Sequence, residues 1–222
     1  MKQANSVWAA IAGALGGLAI TGLVLLAAAR GPIGWALAGA LLAALGAGVV
    51  QHAARWRTQS LTDSATGLFN RRYMLARLEA ELLAARSARH PVSFVVLEID
   101  DMKRCNDTFG HLCGDALLAA IARELRALVR PGDTVVRWGG DEFGVILPGA
   151  DTTRAYAIAE RLRQHIEVIE LDVGSGNRMH TTVSVGVASQ MAPGPATELI
   201  ERADQAMYRA KRRKNQVALA MP

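Results

Sequence analysis

The 222-residue sequence predicts an α+β domain, a central sheet faced by helices, preceded by two transmembrane helices. Three observations carry this. From about Leu61 onward, helical and strand patterns follow one another as helix, strand, helix, hairpin, helix, strand, helix, strand. Two long apolar runs fill the first fifty residues. Charge is segregated: residues 1–50 contain no Asp or Glu and only Lys2 and Arg30 as bases, so all 20 acids and 23 of the 25 bases lie beyond them. The remainder is only mildly basic, which argues against nucleic acid as a partner. Cys105 and Cys113 have no metal-ligand spacing, so they suggest a reducing compartment and no disulfide framework.

The apolar runs are Val7–Ala29 and Ile33–Val50. The first is long enough for the ~30 Å hydrocarbon core and the second is near the lower limit. Arg30-Gly31-Pro32 separates them, which predicts a helical hairpin with almost no outer loop. Arg55 and Arg57 flank Trp56 just after the second run; positive residues mark the cytoplasmic side, so both termini are expected there. A cleaved signal peptide is the rival, but the long first run and the second run directly behind it weigh against that. Gly13/Gly17 and Ala44/Gly48 are small-residue steps that permit close helix approach, though such spacings arise readily in an Ala/Gly-rich helix. The expected organisation is a two-helix transmembrane hairpin over 1–52 with the lipid bilayer as partner, a linker over 53–62, and one domain over 63–222.

Within that domain, "TGLFNRRYMLARLEAELLAARSARH" has Leu75, Leu78, Leu82 and Ala85 at helical spacing. "PVSFVVLEID" is a continuous β-branched run, short enough for a buried strand. "GDALLAAIARELRALVR" predicts a helix started by Asp115 and stopped before Pro131-Gly132. "DTVVRWGGDEFGVILPG" predicts two strands joined by a turn at Gly139-Gly140. A helix at "TRAYAIAERLRQHIEVIE", a strand at "MHTTVSVGVAS", a helix at "ATELIERADQAMYRAKRRK" and a short strand at "QVALA" complete the pattern.

The chemistry concentrates where strands end in acids. Asp141 and Glu142 could simply face water at a tight turn. However, Glu98 and Asp100 end a second strand, two positions apart and so on one face. Two strands ending in carboxylates are a way to build a hard-cation site. Mg²⁺ prefers a few carboxylates plus substrate phosphate oxygens to an all-protein cage. The glycines let a bulky charged ligand approach the backbone, and the combination suits a nucleoside triphosphate.

These residues also resemble a known family. Gly139–Phe143 read GGDEF, the signature of the diguanylate cyclase domain. "DSATGLFNRR" (Asp63–Arg72), "EIDDMKRCNDTFGHLCGD" (Glu98–Asp115), "TVSVGVAS" and "ADQAMYRAKRRKN" resemble its other motifs in the family's order, covering roughly Leu61 to Val217. The resemblance implies a ferredoxin-like palm that binds one GTP. Two such domains would meet as a homodimer and make cyclic di-GMP and pyrophosphate. It further implies Asp141 and Glu142 as catalytic acids, and Glu98, the Ile99 carbonyl and Asp141 as ligands to Mg²⁺, with Mn²⁺ as a substitute.

By the same resemblance, Asn106 and Asp115 read guanine, although both types also favour helix caps. Lys103, Lys211 and Lys214 would face the phosphates, or would otherwise be solvated helix ends. Arg130 and Asp133, with Arg161 from the next helix, would form a site where cyclic di-GMP inhibits; the alternative is a plain Pro-Gly turn. Three departures stand out. Glu98 replaces the usual Asp, Met102 replaces the usual Phe, and the Lys211–Asn215 segment is one residue short and lacks a Gly. None removes a required functional group. The expected function is a diguanylate cyclase on the cytoplasmic face of a bacterial inner membrane. Its rivals are a weak domain that only binds GTP or cyclic di-GMP, and a membrane scaffold.

Overall fold

The computed structural model describes residues 31–36, 38–40, 42–44, 46–47, 61–172, 178–191 and 194–221. The chain divides into two compact units, Met1–Ser60 and Leu61–Pro222. In the first, the described residues are helical. The expected span Val7–Ala29 and the flanking Arg55–Arg57 lie outside the described residues, as does part of the expected span Ile33–Val50. Among the described residues no helix is long and apolar enough to cross a membrane.

The second unit is built on a six-stranded mixed sheet. Its strands are β1 (Phe69–Asn70), β2 (Val92–Ile99), β3 (Thr134–Arg137), β4 (Glu142–Pro148), β7 (Val183–Gln190) and β8 (Val217–Leu219). Their order is β1-β3-β4-β2-β7-β8, and β5 (Leu171–Asp172) with β6 (Arg178–Met179) forms a separate two-stranded ribbon. The central four strands, β3-β4-β2-β7, are antiparallel neighbours. The connection from β2 to β3 passes around the intervening β4, which is the split βαβ plan of a ferredoxin-like palm. Short parallel pairings add β1 and β8 at the edges.

Five helices cover the sheet: α1 (Arg71–Ala88), α2 (Met102–Phe109), α3 (His111–Leu128), α4 (Thr152–Glu167) and α5 (Ala196–Lys211). One face packs Val95, Leu97 and Ile99 of β2 against Leu117, Ile121 and Leu125 of α3 and Ala159 and Leu162 of α4. The other packs Val92, Phe94 and Val96 against Met74 and Leu78 of α1 and Leu199, Ala203 and Met207 of α5. Strand β2 is therefore buried on both sides, which explains its unbroken apolar run. At Gly186 in β7, an added Cβ would overlap the Ala203 carbonyl oxygen and the Met207 amide nitrogen, so only glycine lets α5 lie this close to the sheet.

Several details differ from the sequence expectations. The helix expected from Thr66 begins only at Arg71, because Phe69–Asn70 form β1, and the strand expected from Met179 begins at Val183, with Met179 in the β5–β6 ribbon. Helix α3 begins at His111, not Asp115; Gly110 makes the turn at φ 82°, leaving Asp115 inside the helix. Helix α2 was not anticipated. In α1 the buried stripe is Met74, Leu78, Leu82 and Ala85, with Leu75 only half-buried. Asn70 starts α1 by accepting from the Tyr73 amide (3.1 Å), which fixes the phase of that stripe.

Candidate active site

Antiparallel pairing places Glu98 of β2 directly opposite Glu142 of β4. Both belong to the side-chain set that faces α1 and α5, in step with Val96 and Gly144. Like charges directly opposite on a sheet destabilise it, so this pair calls for a cation. Burial, then the charges of Asp204 and Asp141, raise the Glu142 pKa above the usual carboxylate value, while Arg71 opposes them. Glu98 meets the Lys211 ammonium from the end of α5. The Ile99 amide donates to the Asp141 carbonyl (3.1 Å), so the β3–β4 turn is stitched to the end of β2. Among the described residues there is no cluster of three or more His, Cys, Asp or Glu arranged as a metal cage. The cross-strand pair Glu98 and Glu142 offers carboxylate oxygens of the kind a hard divalent ion takes when its remaining ligands come from water and phosphate.

The glycines of the turn have separate roles. A Cβ at Gly139 would overlap Glu142 Oε2, so the first glycine makes room for the acid. Gly140 is exposed, and its carbonyl accepts from Arg137 Nη2 (2.6 Å), while the Gly139 carbonyl accepts from Arg137 Nε (3.2 Å). Arg137 Nη1 also donates to Asp63 Oδ1 (3.0 Å), whose other partners are the Thr66 amide and hydroxyl. Burial works to raise the Asp63 pKa, but the hydrogen bonds from Thr66 and Arg137 outweigh it and hold the carboxyl low. Arg71 stacks over Trp138 at 4.3 Å. Sequence reasoning did not single out Arg137, Asp63, Arg71 or Asp204 as site residues.

Beyond β2 the chain turns into α2 through Asp101, whose φ of 58° is left-handed. Asp101 makes no side-chain cap; its carboxylate accepts from Lys214 Nζ (2.6 and 2.7 Å), and that hydrogen bond holds its pKa low. The first α2 amides are thus left without a side-chain cap, as an anion-binding helix end requires. Lys103 is exposed on this first turn. In the shortened Lys211–Asn215 segment, Lys214 (φ 56°) and Asn215 (φ 47°) both adopt left-handed backbone. Lys211 then reaches Glu98, and Lys214 reaches Asp101.

Asp100 is not part of the acidic pair. It is buried, 6% exposed, and accepts from Thr182 Oγ1 (2.6 Å), Ser184 Oγ (2.7 Å) and the Asn215 amide (3.0 Å). Its role is to tie the segment carrying Lys214 to the sheet.

Asn106 and Asp115 face the question of capping or ligand reading. Neither caps a helix: Asn106 lies within α2 and Asp115 is the fifth residue of α3. Asn106 Oδ1 is buried without a hydrogen-bond partner and sits where a Cβ on Gly114 would be. Asp115 is exposed. A buried orphan acceptor beside an exposed carboxylate is suited to a ligand that brings donors.

Arg130 and Asp133 come together. Arg130 Nε donates to Asp133 Oδ1 (3.0 Å), its amide to Oδ2 (3.2 Å), and its Nη2 to the Pro148 carbonyl. Arg161 Nη2 binds the Leu128 carbonyl (2.8 Å) at the end of α3, two residues before Arg130. A cavity of about 260 Å³ beside them is lined by Arg126, Arg130, Asp133 and Thr134.

Fold and site together define a ferredoxin-like palm with paired strand-end acids and two lysines close to an uncapped helix start. Residues 60–216 match the family described as diguanylate cyclase, GGDEF domain. The chain belongs to the GGDEF diguanylate cyclase family. It is 41% identical over 154 residues to the response regulator PleD of Caulobacter vibrioides, covering 68% of this chain and 34% of that protein. It is 35% identical over 158 residues to the diguanylate cyclase DosC of Escherichia coli K12, covering 71% and 34%. The chain thus spans about a third of these curated relatives. Among solved structures, the GGDEF domain of DgcB from Caulobacter crescentus in complex with c-di-GMP superposes with a TM-score of 0.70 at 30% identity, covering 73% of this chain and 94% of that one. The active GGEEF domain of a Vibrio cholerae diguanylate cyclase gives 0.66 at 28% identity, covering 73% and 99%.

Proposed function

We propose that this protein is a diguanylate cyclase that condenses two GTP into cyclic di-GMP with release of two pyrophosphates. The observation that carries this is the cross-strand pair Glu98 and Glu142, joined by Asp141 and placed beside Lys211 and the uncapped start of α2. Glu98, Glu142, Asp141 and the Ile99 carbonyl are the groups that would hold Mg²⁺, with Mn²⁺ as a substitute. Bound there, the ion would neutralise phosphate charge and acidify the attacking 3′-hydroxyl. The α2 amides, Lys103 and Lys214 hold the triphosphate, and Lys211 moves from Glu98 to the phosphates as the charged substrate arrives. Asn106 accepts from the guanine amino edge through its orphan oxygen, and Asp115 accepts from the neighbouring donors.

One domain reads one GTP, so the product needs two chains. A homodimer brings the 3′-hydroxyl of one nucleotide to the α-phosphate of the other. The apolar N-terminal runs would anchor the chain as a hairpin in the bacterial inner membrane, with termini and domain cytoplasmic. Arg130 and Asp133, which line the 260 Å³ cavity, and Arg161, bound to the Leu128 carbonyl, form the site where cyclic di-GMP inhibits. The Arg130 fork suits phosphate or guanine acceptors.

Turnover of GTP and ATP by the full-length protein in membranes tests the assignment. GTP should be consumed roughly fivefold to a hundredfold faster, because adenine lacks the N1–H and 2-amino donors that the Asp115 carboxylate would accept from, a loss of about 1–3 kcal/mol. Equal rates would remove Asn106 and Asp115 from the site.

A further inference from the structure

The chain has two cysteines, and the reaction uses neither. Cys105 is buried on α2 at 8% exposure, and Cys113 is half-buried in the first turn of α3. The two helices fold back on each other through Gly110, so both side chains pack into one apolar cluster, where the Cys113 thiol is among the causes that raise the Cys105 pKa. Their neighbours matter: Cys105 precedes Asn106, and Cys113 precedes Gly114-Asp115. A cavity of about 420 Å³, lined by Arg104, Cys105, Thr108, Phe109 and His180, opens onto the buried thiol.

We propose that Cys105 and Cys113 are a reversible thiol-modification site, at which a low-molecular-weight disulfide closes an intramolecular bond that disables the guanine-reading pair Asn106 and Asp115. This rests on the GTP reading given above. The chemistry balances as thiol–disulfide exchange. The Cys113 thiolate attacks one sulfur of R–S–S–R, forming a mixed disulfide and releasing one RS⁻. Cys105 then loses its proton and attacks the Cys113 sulfur, forming the internal bond and releasing the second RS⁻. Two protein thiols are oxidised and one small disulfide is reduced to two thiols. The order follows from burial: burial, then Cys113, push the Cys105 thiol up to about 11, so it stays protonated at neutral pH and acts second.

The coupling to guanine is steric. Non-bonded sulfurs stand on the order of 4 Å apart and a disulfide is ~2.05 Å long, so closure must draw the start of α3 onto α2. That interface has no slack, because Asn106 Oδ1 and Met102 Cε already fill the space over Gly114. Drawing Gly114 inward displaces Asn106 and turns Asp115 with its helix.

The test treats the full-length protein with glutathione disulfide, then measures the digest by mass and GTP binding by calorimetry. The expected result is loss of both thiols, one Cys105–Cys113 linked peptide, and GTP affinity lowered roughly tenfold or more and restored by dithiothreitol. Closure should quicken as pH rises, and Cys113→Ala should bind GTP equally before and after treatment. Two surviving thiols, a Cys113 cross-link between chains, or an internal disulfide with unchanged GTP affinity would each overturn the proposal. Reduced protein that forms the linked peptide but never binds GTP would instead sink the reading of the site, and the switch with it.

Discussion

Glu98 is where a single residue decides most. A glutamate at the end of β2 keeps both oxygens of the shorter acid but carries them about one bond further, to where Lys211 now holds one. Glu98→Gln should cut cyclisation at least a hundredfold, since a neutral amide neutralises nothing, whereas Glu98→Asp should be tolerated; initial rates of the two decide. Asp100 behaves differently. Its three partners are all within the protein, so Asp100→Asn should lower stability by about 2–3 kcal/mol, read as a fall in Tm.

Glu142 gives a pH signature at the same scale. Its folded pKa is raised, so the stability gained by keeping it protonated is complete below its ordinary value of 4.5 and is lost as pH rises through the folded value. In chelator, Glu142→Gln should therefore melt above the wild type at neutral pH, and the two should converge below pH 4.5. A gap that persisted in acid would show that the amide stabilises for another reason.

At the scale of elements, the β3–β4 turn is held from outside itself. Asp63, before β1, reaches Arg137, which grips both glycine carbonyls. Arg137→Ala should leave the hairpin paired but the acids loose, lowering kcat roughly tenfold to a hundredfold with a smaller change in KM. Equal losses in the two parameters would mean that the clamp serves binding instead. That contact joins residues 74 apart, which is why no local pattern revealed it. What the sequence did show was local: the buried strand β2, the hairpin with its glycine turn, and strand-end acids, of which the pairing set Glu98 opposite Glu142. Helix α2 escaped because "MKRCNDTF" is short and polar, with only Met102 and Cys105 buried. The start of α3 was misplaced because Gly114-Asp115 imitates a cap, while the real turn depends on Gly110 alone. The placement of Lys214 depended on left-handed backbone at Lys214 and Asn215, in a segment that looked one residue too short.

For the whole molecule, the proposed reaction joins two GTP and so calls for two chains. Specific activity of detergent-extracted protein should fall steeply on dilution, and reconstitution in vesicles should flatten that dependence by raising the local concentration. Feedback belongs here too: Arg130→Ala should lift inhibition by cyclic di-GMP while leaving the initial rate unchanged.

The central claim is that the acids ending β2 and opening β4 form one catalytic centre for joining two GTP. The measurement that tests it most directly is mass identification of the products that the full-length protein makes from GTP and Mg²⁺, beside Asp141→Asn and Glu142→Gln. Wild type should yield cyclic di-GMP and pyrophosphate, and both folded variants should yield essentially none. Cyclic di-GMP at the wild-type rate from either variant, or none from the wild type, would contradict it.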